Sequence, residues 1–173
     1  MSVYKEHLKL QSHGGTPSYI NVTQQVRAAI ENSGIKEGIC VVISPHTTCG
    51  VFFEEFVHDV TPEGDEFLQA DLNVALGKII PDHTDAGQFR YPGPEHFAAV
   101  RSWPNAAAYL PNDDISDQYN GDAHLNATVR GSSQTFEVTD GKLGVGTTGY
   151  VYFVDFDRTH PRERKCSVVV IGE

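Results

Sequence analysis

The chain has 173 residues, 39% of them hydrophobic and 21% charged, with a formal net charge of −10. Those values fit one globular domain with a sizeable core and exclude a disordered or low-complexity chain. No apolar run approaches the roughly 18–20 residues of a bilayer span, the start Met1-Ser2-Val3-Tyr4-Lys5-Glu6-His7 has no signal-peptide core, and the acidic balance argues against nucleic acid, so a cytoplasmic protein with neither membrane nor nucleic-acid partners is expected.

Val3 to Leu10 reads as a first strand, and Gly14-Gly15-Thr16-Pro17 breaks it. Asn21 to Gly34 reads as a helix: Val22, Val26, Ala29 and Ile30 share a face, Asn21 or Thr23 can cap the start, and Gly34 can end it. Ile39 to Ile43 is apolar throughout and reads as a buried strand. Glu63 to Ile80 reads as a second helix that turns Leu68, Leu72, Ala75, Leu76 and Ile79 to the core and stops at Pro81. From Asp85 to Asp117 the periodicity weakens under Pro92, Pro94, Pro104 and Pro111. A short helix near Glu95 to Arg101, held down by Phe97 and Trp103, fits there; so long an excursion suits a lid or contact.

The last third is strand-rich. Thr135 to Thr139 and Lys142 to Val145 flank Asp140-Gly141, a strong hairpin signal. Tyr150 to Phe156 and Ser167 to Ile171 are further strands. The expected fold is α+β, with a β-sandwich or a strongly bent sheet as scaffold and two main helices packed on it, as one domain over 1–173.

Chemistry points first to histidine, of which there are eight. His46 follows the apolar strand in Ser44-Pro45-His46-Thr47-Thr48-Cys49-Gly50. His124 lies in Asn120-Gly121-Asp122-Ala123-His124, where Asp122 could orient its imidazole. His83 sits between Asp82 and Asp85. None of the spacings is a local zinc signature, so a shared site must be assembled from distant segments. Asp155 would share a strand face with Val151 and Phe153, an unusual place for an acid unless it works there. Asp157, Glu54 and Glu55 are further acidic candidates. Arg158, Arg162, Arg164 and Lys165 form either a solvated run or an anion patch. Cys49 suits packing better than nucleophilic work, and Cys40 and Cys166 lie in apolar runs. Gly144 to Gly149 is a glycine-rich bend whose N–H groups could approach an anion.

Several of these segments resemble the YjbQ-type family. Its Thr-led helix, "sGIkeG" and His-Thr-Thr match Asn21–Val26, Ser33–Gly38 and His46–Thr48. Its "AHLKA", "GPS" and "dGrLaLG" boxes resemble Ala123–Ala127, Gly131–Ser133 and Asp140–Leu143, and its basic last strand resembles Phe156 through Gly172-Glu173. The resemblance implies a two-layer β-sandwich-like core, a homotrimer and a thiamine-phosphate synthase-like transferase, which joins an aminopyrimidine diphosphate to a thiazole phosphate with loss of pyrophosphate. It implies a small phosphorylated substrate, no organic cofactor and a divalent metal, zinc or magnesium, held by His46, His83 and His124. His46, His124, Asp122 and Asp155 are the expected catalytic residues, and Thr47, Ser133, Thr147 and Arg164 the expected substrate contacts. The family's "LGTWQGI" stands here as Val145-Gly146-Thr147-Thr148-Gly149-Tyr150-Val151 and its "INE" as Phe53-Glu54-Glu55, while 85–117 looks inserted. Those departures favour, as the alternative, a non-catalytic metal- or anion-binding oligomer.

Overall fold

A computed structural model describes residues 1–173. Eight strands form two antiparallel sheets. β1 (Ser2–Gln11), β3 (Gly38–Ile43), β5 (Ser133–Thr139), β6 (Lys142–Leu143) and β8 (Glu163–Gly172) make a five-stranded sheet in the order β1-β8-β3-β5-β6. β2 (Ser18–Asn21), β4 (Cys49–Glu55) and β7 (Gly149–Asp155) make a three-stranded sheet with β7 central. The last strand is thus inserted between β1 and β3, with Leu8 opposite Cys166 and Val42 opposite Val168.

One core lies between the sheets. Leu8, Leu10, Cys40, Val42, Val51, Val138, Val151, Phe153, Val168 and Val170 belong to it. α1 (Thr23–Ser33) closes that core with Val22, Val26, Ala29 and Ile30, as its periodicity predicts. Gly34 ends it in the left-handed conformation, φ 68°, which glycine adopts without a Cβ clash. The hairpin is also where expected, Asp140 and Gly141 both taking positive φ, 52° and 69°. β3 is less buried than its composition suggests. Cys40 and Val42 face the core, whereas Ile39 is 42% exposed and Val41 and Ile43 are half-buried. Alternation across the pleat puts successive side chains on opposite faces, and no helix covers the outer face here.

The second predicted helix is corrected more sharply. α2 (Phe67–Gly77) buries only Gln69, and Leu68, Val74 and Ile79 are exposed at 39%, 65% and 73%. Its polar side packs inward on the three-stranded sheet. Glu66 accepts from the Tyr152 hydroxyl at 2.7 Å and from the Val57 N–H at 2.7 Å, and Asn73 accepts from Tyr19. Helical spacing gives the phase of an apolar stripe but not the direction it faces. Two helices go beyond the predicted pair. α3 (Pro94–Arg101) is the short helix expected in 85–117, and α4 (Gly121–Arg130) occupies the stretch around His124, where no helix is predicted. α4 lies on the three-stranded sheet through Ala123 and Ala127, against Val154 and Phe156.

Candidate active site

The strands and loops converge on a cavity of about 610 Å³. Four stretches build it. The β3–β4 loop brings His46, Thr47 and Thr48; α4 and the residue before it bring His124 and Asn120; the segment that leads from β7 into β8 brings Asp157, His160, Arg162 and Arg164. The fourth is 85–117, which contributes Tyr91, His96, Trp103 and Tyr109.

Each polar group has a traceable anchor. His46 Nε2 accepts the Lys165 N–H at 2.9 Å, so the neutral ring carries its proton on Nδ1. Asp155 is fully buried and takes Arg164 bidentately, Nε at 2.7 Å and Nη2 at 3.0 Å. It also accepts the Asp157 N–H at 3.1 Å and the Cys49 thiol at 3.4 Å. Arg164 Nη2 reaches the Thr48 hydroxyl at 3.2 Å. Burial opposes the Arg164 charge, but the bond to Asp155 outweighs it and the guanidinium pKa is raised. Asp157 accepts from Asn120 Nδ2 at 3.0 Å, from Thr159 and from Arg162 at 3.2 Å. Burial works to raise its pKa; Arg162 and these donors prevail and hold the carboxyl below its ordinary range. The two arginines therefore enter the cavity already paired with two buried aspartates, and they fix its wall as well as its charge.

Four histidines are held mainly neutral. Burial pushes the pKa of His46, His83, His124 and His160 below the ordinary 6.5, despite neighbouring carboxylates that pull upward. Above pH 6.5 these rings are neutral folded or unfolded, and their burial costs nothing in protonation. As pH falls below 6.5 toward the lower folded values, the unfolded chain takes up protons first and stability is lost. Thermal unfolding should therefore give a lower midpoint at about pH 5.5 than at about pH 7.5; an equal or higher midpoint in acid would reject this coupling.

Not all expected site residues meet here. His46, His124, Thr47 and Arg164 line the one cavity. His83 does not. Its ring lies between Phe89, 4.8 Å away, and Tyr119, 4.6 Å away, and its Nδ1 accepts the Gly121 N–H at 3.1 Å, holding the first residue of α4. No three His, Cys, Asp or Glu side chains converge as a metal-holding group, so the set His46, His83 and His124 does not fit a divalent ion. Asp122 makes no hydrogen bond to His124 and instead pairs with Arg158, which also meets Asp82. That pair lines a separate cavity of about 620 Å³ beside α2, which contains no histidine. Asp155 acts through Arg164 rather than facing the cavity itself. Ser133, at the start of β5, and Thr147, in the turn before β7, lie outside the cavity. In the glycine-rich bend Gly144 donates to Glu137 and Val145 to Leu143. Cys49 is buried with its pKa raised, first by burial and then by Asp155, so it is no thiolate. His96, His160, Tyr91 and Asn120 went unnoticed in the sequence. His160 stands two residues before Arg162, and that proximity to the basic run was the one signal available.

Comparison with known proteins places this architecture. The family model described as "UPF0047 protein YjbQ-like" matches residues 6–173. The chain belongs to the YjbQ-like family. A UPF0047 protein of Methanothermobacter thermautotrophicus is 28% identical over 173 residues, covering 100% of this chain and 95% of that one. One of Archaeoglobus fulgidus is 30% identical over 149 residues, 86% of this chain and 87% of its own. Among solved structures, a YbjQ-like protein of unknown function from Sulfolobus solfataricus superposes with TM-score 0.68 at 26% identity, covering 99% of both chains. An uncharacterised YjbQ/UPF0047 protein from Clostridium acetobutylicum gives 0.66 at 28%, covering 96% and 99%. The YjbQ-like fold expected from the sequence is thus the fold found. No helix is long and apolar enough to cross a membrane.

Proposed function

We propose that the histidine cavity is the active site of a transferase acting on a small phosphorylated compound, of the thiamine-phosphate synthase type. The supporting observation is the convergence of His46, His96, His124 and His160 with Arg162 and Arg164 on one cavity. A reaction that expels pyrophosphate needs donors where negative charge grows. His46 Nδ1–H and the two guanidinium groups supply them. His124, beside Asp157, is placed to give or take the proton. The aspartates already balance the arginines, so the added positive charge for an anion comes from histidine protonation on binding. No step passes through a metal. The test is pyrophosphate release by purified protein from the aminopyrimidine diphosphate with the thiazole phosphate. Release that needs both substrates supports the transferase. Pyrophosphate binding without turnover leaves the second reading, a non-catalytic anion-binding protein, which the altered "LGTWQGI" and "INE" segments favour.

The same reading includes a homotrimer. Its support is the uncovered face of the five-stranded sheet, where Ile39 stands opposite Ile171 and Val41 opposite Val169, none of them in the buried core. Contiguous exposed apolar surface of this kind marks association sites. Light scattering is expected to give three chains per particle, and a single chain for Val169→Lys; a monomeric wild type overturns the assembly.

A further inference from the structure

The proposed anion site occupies only part of the cavity. Its outer part is aromatic, and the 85–117 segment supplies it. Trp103 and Tyr109 meet edge to face with ring centroids 5.3 Å apart at 86°, yet they remain 43% and 38% exposed. The Arg162 guanidinium lies 5.9 Å from the Tyr109 ring centre, so the aromatic pair adjoins the group expected to hold phosphate. Two amide oxygens add a second, independent requirement. Gln118 and Asn120 are 6% and 8% exposed and line the cavity, and Gln118 Oε1 and Asn120 Oδ1 are buried without a hydrogen-bond partner. Asn120 Nδ2 is committed to Asp157, a carboxylate that must accept, so its free atom is the carbonyl oxygen. A buried acceptor left unmatched is costly, and a bare phosphate or pyrophosphate cannot serve it well. The missing partner is an N–H or O–H donor.

From these features we propose that the cavity takes a nucleoside phosphate: the base stacks on the exposed Trp103 ring and packs edge-on against Tyr109, sugar hydroxyls or a base N–H donate to Asn120 and Gln118, and the phosphate faces Arg162 and the histidines. Sequence-tolerant stacking of bases on aromatic side chains is a recurrent solution. A cavity of about 610 Å³ holds an organic ligand of that size. The inference rests on the anion-site reading for the position of the phosphate, while the stacking surface stands on its own.

Trp103 is the sole tryptophan, so its fluorescence reports occupancy of the outer cavity directly. ADP, adenosine and pyrophosphate are titrated separately into the wild type, with calorimetry in parallel. ADP is expected to quench Trp103 and to bind about tenfold tighter than pyrophosphate, in line with the stacking contribution of a base. By calorimetry, Trp103→Leu and Tyr109→Leu should each weaken ADP severalfold and leave pyrophosphate unchanged. ADP binding no tighter than pyrophosphate, or both variants binding ADP like the wild type, overturns the inference. If adenosine quenches Trp103 while pyrophosphate fails to bind, the anion reading falls and the stacking surface stands.

Discussion

Asp155→Ala is expected to lose about 3–5 kcal/mol of unfolding free energy in urea titration near neutral pH. Asp155 has no solvent contact, and its carboxylate holds Arg164 through two hydrogen bonds of 2.7 and 3.0 Å. Removing it leaves a guanidinium that is only 8% exposed without its main counter-charge. The Asp157 N–H and the Cys49 thiol lose an acceptor as well. Breaking one side of a buried pair is far more damaging than replacing both. The double variant Asp155→Leu with Arg164→Met should therefore recover much of the loss while abolishing pyrophosphate binding. A single-variant loss below about 1 kcal/mol would show that the pair is hydrated and energetically minor.

His124→Ala is expected to lower turnover by about 10²–10⁴-fold, the range for removing a positioned proton-transfer group. His124 sits one turn into α4, whose first N–H is fixed by His83 and whose apolar side is seated on Val154 and Phe156. The expected loss falls on kcat more than on KM, because Arg162, Arg164 and His46 still bind the anion. pH provides a separate signature. Burial lowers the His124 pKa below 6.5, and a bound pyrophosphate would raise it again. Pyrophosphate affinity should therefore rise as pH falls from about 8 to about 6, by up to about tenfold per pH unit for each proton taken up. His124→Ala should flatten that slope. A variant with wild-type turnover and an unchanged slope would remove His124 from the mechanism.

Sequence pattern served best where burial follows a simple period. α1, the Asp140-Gly141 hairpin and strands β1, β3, β7 and β8 are readable because apolar spacing and turn residues agree there, whereas β2 and β4, the outer strands of the smaller sheet, are not. α2 misled because amphipathicity does not say which side meets the protein. In its inward layer Glu66 and Asn73 are satisfied by Tyr152 and Tyr19, partners remote in sequence. The site was readable in part for the same reason. His46 and His124 stand in distinctive local settings. Asp155 announced itself as an acid among apolar neighbours, but whether it faced substrate or Arg164 depended on how β8 folds back beside β1. His96, Trp103 and Tyr109 lie in a stretch broken by prolines, and only tertiary placement turns that stretch into a cavity wall.

The position of β8 has a consequence for synthesis. The eighth strand is an interior strand of the larger sheet, flanked by β1 on one side and β3 on the other. Until it emerges from the ribosome, β1 has no neighbour and β3 shows an open edge to other nascent chains. Arg164 arrives with that same strand and Arg162 just before it, so the site is assembled only once this stretch has been made. Pairing of segments as far apart as Ser2 and Gly172, 170 residues in sequence, also favours slow, late completion of the fold over gradual folding from the N-terminus.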